Sequence, residues 1–172
     1  MKRFKDLSEL TIMDDYMFGA VMRDERRIKP LIEYVLNIRI RTLRFIEPQR
    51  TLKEGYDSRG VRLDLYVEDE DGSVYNVEVQ TTDKHNLPRR MRYYQSVIDI
   101  TVLAPGANYE SLRKSFIIFI CTFDRFKLGR HIYTFQERCK EDTNLLLNDG
   151  ATKVLLNTKG TADDVAPDIK AF

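Results

Sequence analysis

From Val61 to Gln80 the chain reads VRLDLYVEDEDGSVYNVEVQ, with apolar residues alternating on either side of Asp71-Gly72. Period-two alternation flanking a turn dipeptide predicts a β-hairpin. A two-residue Asp71-Gly72 loop would pair Glu70 with Ser73, set Asp64 opposite Val79 and mix polar with apolar on both faces. A three-residue loop, Glu70-Asp71-Gly72 with Gly72 left-handed, pairs Asp69 with Ser73 instead. Leu63, Leu65 and Val67 then share one face with Tyr75, Val77 and Val79. Arg62, Asp64 and Tyr66 share the other with Asn76, Glu78 and Gln80. The hydrophobic pattern selects this second register.

Period-3.6 patterns flank the hairpin. A helix is expected around Tyr16 to Met22. Ile28, Leu31, Ile32, Val35 and Leu36 then make an amphipathic helix, with Pro30 tolerable only in its first turn. IRTLRFI reads as a strand and TLKEGYDSRG as a polar loop. Residues 87–102 form a helix with the stripe Leu87, Met91, Tyr94, Ile98 and Val102, and Pro88 in its first turn. APGANYESLRK is a loop with room for one helical turn. SFIIFICTF has the continuous apolarity of a strand buried on both faces. GRHIYTFQERC and ATKVLLNTKG read as further strands. Residues 1–160 are expected to form one domain, and 161–172 to open a C-terminal helix, possible truncation of which is left open. This order predicts an α/β fold, a mixed central sheet flanked by helices.

Composition changes this picture little. The chain has 172 residues, 42% hydrophobic and 32% charged, enough for one compact core. A net charge of +1 gives no global pull toward nucleic acid or membrane, so any basic surface must come from local clustering. The N-terminus is basic without an apolar stretch behind it, and the longest apolar run, FIIFIC, is too short to span a bilayer. Cys121 and Cys139 lie far apart with no CxxC, which reads as buried free thiols in a reducing cytoplasm.

The chemistry concentrates in the hairpin. The chosen register sets Asp64 beside Glu78, with β-carbons roughly 5 Å apart. Two carboxylates at about 4 Å repel by roughly 1 kcal/mol in water and roughly 4 kcal/mol near a protein surface. A divalent cation would compensate, and hard oxygen ligands suit Mg²⁺. Gln80, on the same side, is placed to position a water. The competing reading is an ordinary solvated face, with Arg62 neutralising one carboxylate.

Three blocks in order, RLDLYVEDEDGSVYNVEVQ, LPRRMRYYQSVIDITVL and YESLRKSFIIFICTFDRF, resemble the PD-(D/E)xK nuclease superfamily, in its bacterial transposase-like, recombination-promoting branch. The resemblance covers nearly the whole chain. It implies a restriction-endonuclease-like core of helix, three strands, helix and strand. It implies hydrolysis of DNA phosphodiesters with Mg²⁺ or Mn²⁺, Asp64 and Glu78 as metal ligands, and Asp64, Glu78 and Gln80 as catalytic residues. Leu63 stands where the motif has proline, and Gln80 where it has lysine. Glutamine brings hydrogen bonds but no charge, so slow or conditional cleavage is expected. The superfamily often carries a further acid on the first helix. Glu33 is the candidate here, and its place off the apolar stripe reads as surface.

Arg89, Arg90 and Arg92 open the 87–102 helix just after Gln80, placed to hold DNA phosphates, and Gln95 lies on their polar side. His85 and His131 have no ligand partner at metal spacing. No GxSxG, phosphate loop or GxGxxG occurs. The expected protein is a cytoplasmic, metal-dependent DNA endonuclease, with a homodimer left open. The alternative is a weak or inactive DNA-binding remnant or interaction module on the same fold.

Overall fold

A computed structural model describes residues 9–53 and 60–165. Its elements run α1 (Asp15–Met22), α2 (Glu25–Leu36), β1 (Leu43–Pro48), β2 (Thr51–Leu52), β3 (Val61–Arg62), β4 (Leu65–Asp69), β5 (Val74–Gln80), α3 (Leu87–Val102), β6 (Ser115–Cys121), β7 (Ile132–Phe135) and β8 (Ala151–Asn157). Six strands form one mixed sheet in the order β1-β4-β5-β6-β8-β7. The parallel β5–β6 pair is joined by α3, a βαβ unit. This is the mixed α/β sheet flanked by helices that the sequence predicts, consistent with a restriction-endonuclease-like core.

Both faces of the sheet are covered. Phe18, Met22, Ile28, Ile32 and Val35 of α1 and α2 pack on Leu65, Val67, Tyr75, Val77, Ile118 and Ile120. Leu87, Met91 and Ile98 of α3 pack on Tyr66, Val74, Ile117, Phe119 and Leu155. β6 is central, as its unbroken apolarity requires. The hairpin face carrying Asn76 and Glu78 is therefore not a solvated face, because α3 roofs it.

The hairpin turns in the three-residue register. Leu65 pairs Val77, Tyr66 pairs Asn76 and Val67 pairs Tyr75. Gly72 has φ +80°, the left-handed conformation the loop needs. Asp69 locks the turn: its Oδ1 accepts the N–H of Asp71 and of Ser73, and its Oδ2 accepts the Tyr75 hydroxyl.

Elsewhere the structure corrects the expectations. The first hairpin strand breaks at Leu63–Asp64. Gln49, with φ 56°, ends β1 and donates its N–H to the Asp64 carbonyl, and the Leu63 N–H reaches the Arg50 carbonyl. β2 and β3 then pair as a separate two-stranded sheet, where a polar loop was expected from residue 51. Residues 54–59 of that loop lie outside the described residues. Beyond the break Leu63 packs on the α3 side with Leu52 and Val61, not with Leu65 and Val67. Pro30 sits in the second turn of α2, which starts earlier than the apolar stripe because Asp24 caps it through the Arg26 N–H. β7 ends at Phe135. Cys139 is partly exposed, whereas Cys121 is buried and burial pushes its thiol up to about 12. Residues 161–165 are not helical, and the remainder of the expected C-terminal helix lies outside the described residues.

Candidate active site

Asp64 and Glu78 do meet, and the strand break shapes how. Leaving the ladder at Leu63–Asp64 turns the Asp64 N–H to the Glu78 Oε1, at 2.9 Å. In return the Val79 N–H donates to Asp64 Oδ2 at 3.0 Å. Glu78 is thus fixed by the backbone at the break and Asp64 by β5, a local irregularity that aims a side chain. Both are buried: Asp64 is 7% exposed and Glu78 2%. Burial, with Asp64 beside it, pushes the Glu78 carboxyl from its ordinary range up to about 8, against the pull of the Asp64 N–H and of Arg90.

Arg90 reaches back from the first turns of α3. Its guanidinium donates to Gln80 Oε1 and to the Tyr94 hydroxyl, and lies 3.9 Å from Glu78 Oε2. It also sits over the Tyr94 and Phe119 rings. The Gln80 amide donates to the Thr82 carbonyl. Both polar ends of Gln80 are therefore engaged, and it holds Arg90 where the sequence suggested it would hold a water. These groups line an open cavity of about 470 Å³, together with Met13, Arg62, Lys84 and Asn86.

The remaining candidates separate. Arg89 is exposed and lines a neighbouring cavity with Arg62 and Arg90; Arg92 is exposed and lines neither. Gln95 is buried toward the start of β6, donating to Asp99 and Ser115, and does not line the acid-pair cavity. Glu33 accepts the Ile40 N–H at 2.8 Å, closing the α2–β1 connection. His131 pairs with Asp164, and His85 lies by Asp83 and Arg125.

Residues 13–156 match the family model described as PD-(D/E)XK nuclease family transposase. The chain belongs to that family. No curated protein matches it. Membership supports a nuclease or transposase-like function and implies DNA as the substrate of this PD-(D/E)XK family transposase domain. Nucleases of this class generally use divalent metals. Among the described residues no helix is long and apolar enough to cross a membrane.

The donor set fits such an ion. Asp64 and Glu78 offer hard carboxylate oxygens, pre-oriented by backbone N–H groups, and without a cation burial and mutual repulsion oppose ionising both. Among the described residues no cluster of three or more His, Cys, Asp or Glu forms. Two carboxylates are the complement Mg²⁺ commonly takes, the rest of its shell being water and phosphate oxygen.

Sequence reasoning missed Lys84 and the part of Tyr94 that faces the cavity. Tyr94 sits on the apolar stripe and reads as core, but its hydroxyl end reaches Arg90, four residues before it on the same helix face. Asn76 gave a fainter signal. It is wholly buried beside Glu78, and its side chain favours the ionised form of that carboxyl.

Proposed function

We propose that the protein is a divalent-metal-dependent DNA endonuclease, with Asp64 and Glu78 as the metal ligands and Arg90 as the cation facing the scissile phosphate. The observation that carries this is the buried carboxylate pair, Glu78 held by the Asp64 N–H and Asp64 by the Val79 N–H, at the floor of an open cavity with Arg62, Lys84 and Arg90 on its walls. Burying two carboxylates side by side is unfavourable by on the order of several kcal/mol per ion, and a bound cation would offset that cost.

A bound divalent cation would supply Lewis-acid stabilisation of the phosphate. This chain's own residues do the rest. Asp64, at the strand break, and Glu78, on β5, offer their carboxylates to the cavity. Gln80 is a positioning residue that holds Arg90. Arg90 offers its guanidinium to a phosphate oxygen, and so brings back, from a helix, the positive charge that Gln80 lacks. Arg89 and Lys84 add sequence-independent attraction to the backbone.

Supercoiled plasmid incubated with Mg²⁺ or Mn²⁺, and in parallel with chelator, tests the reading. Wild type should nick only with metal, and Asp64→Asn should not nick. Wild-type protein that leaves plasmid intact at every metal concentration would leave a DNA-binding domain without cleavage.

A further inference from the structure

A second cavity, of about 360 Å³, opens beside the acid pair. The two share Arg62, Asn86, Arg90 and Tyr94 as a common wall. Their chemistry differs. The first is floored by carboxylates and amides. The second adds Val61, Arg89 and Tyr93, so aromatic and aliphatic residues line it together with three arginines, Arg62, Arg89 and Arg90. Tyr93 is 39% exposed, and it follows Arg89 by four residues, so both lie on one face of α3. Arg62 comes from β3 and lines both cavities.

We infer that this second cavity is a subsite for one unpaired DNA nucleotide, its base against Tyr93 and its phosphate by Arg89 and Arg62, adjoining the phosphate held at the acid pair. The placement of that neighbouring phosphate rests on the nuclease reading above. The walls are those that recognise a single strand: a cationic track with an aromatic platform. The size is at the low end for ligand cavities, which start at roughly 300 Å³. That suits one nucleotide. A base inside a duplex is covered on both faces by its neighbours, so one seated here must have left the stack. Every base has a π-face, so the subsite selects unpaired DNA without selecting sequence.

The chain has no tryptophan, so Tyr93→Trp carries a single reporter at the platform itself. With chelator present, fluorescence of Tyr93→Trp is titrated with an oligothymidine and with a blunt duplex of the same length. Anisotropy of the labelled DNAs is followed in parallel for wild type, Tyr93→Phe and Tyr93→Ala. The subsite predicts quenching by the single strand and not by the duplex. Tyr93→Phe should bind as wild type does, and Tyr93→Ala should lose roughly five- to hundredfold in single-strand affinity with duplex affinity unchanged. Equal quenching by both DNAs, or equal losses for both in Tyr93→Ala, would overturn the inference, as would no loss at all. The binding assay involves no cleavage. Failure of metal-dependent nicking would leave the subsite standing, and intact nicking with Tyr93 indifferent would remove the subsite alone.

Discussion

Glu78 holds the site's chemistry in one ionisation. Its carboxyl is raised from 4.5 to about 8 by burial and by Asp64, so the folded chain keeps a proton that the unfolded chain gives up. Wherever the native state binds more protons, stability falls with rising pH. The metal-free protein should therefore lose stability steadily from about pH 5 to about pH 8, the window between the two values. Glu78→Gln keeps an oxygen for the Asp64 N–H and has nothing to titrate. Its melting temperature should lie above that of wild type at pH 8 and vary less across the window; a parallel decline in both proteins would assign the effect to other groups. Metal binding must displace the same proton, so Mg²⁺ affinity should rise with pH. Arg90 makes a separate residue-scale test. Arg90→Gln should lower the cleavage rate strongly with metal binding largely retained. Arg90→Lys should recover only part of the loss, because an ammonium cannot hold Gln80, Tyr94 and a phosphate oxygen in one plane.

At the scale of elements, two helix positions that look alike in sequence part company. Arg89 and Arg92 both sit in the basic opening of α3, but only Arg89 lines a cavity next to the acid pair. Arg89→Ala should weaken DNA binding across unrelated sequences and reduce the salt slope by about one ionic contact, and Arg92→Ala should change neither by much, as read from anisotropy at several salt concentrations. The hairpin turn is the other element that can be tested by itself. A Cβ on Gly72 would meet Arg113 only at ordinary contact distance, so the cost of Gly72→Ala is its positive φ. About 1–2 kcal/mol is expected, which is a fall in Tm of roughly 2–8 °C for a domain of this size. Gly72→Asn should cost less, since asparagine tolerates that conformation.

For the whole molecule, sequence pattern went far because the sheet obeys simple periods. The turn register, the central place of β6 and the length of α3 all followed from which positions are apolar. What pattern missed is where geometry departs from a period. The break at Leu63–Asp64 depends on Gln49 and Arg50 pairing back from another strand, and no local alternation in VRLDLYV announces it. The burial of Glu78 depends on α3 lying across it. A strand with polar residues on one side reads as half exposed until its roof is known. Gln95 misled in the same way: the polar side of α3 meets the buried Ser115 at the start of β6, and the amide turns inward. The acid pair itself was legible, because register alone brings Asp64 to Glu78. Its surroundings were not, since Arg90, Arg62 and Lys84 reach the cavity from three separate segments.

All of this turns on whether Asp64 and Glu78 jointly hold a cation. Thermal melts of wild type, Asp64→Asn and Gln80→Ala, each with excess Mg²⁺ and with chelator, measure it directly, since an ion that binds only the native state raises Tm. Wild type should gain a clear increment. Asp64→Asn should be at least as stable as wild type in chelator, because Asn keeps an acceptor for the Val79 N–H and relieves the repulsion. It should also lose most of the Mg²⁺ increment. Gln80→Ala should keep most of that increment while cleaving slowly. Equal Mg²⁺ shifts in wild type and Asp64→Asn would contradict the account and leave the pair a buried structural contact.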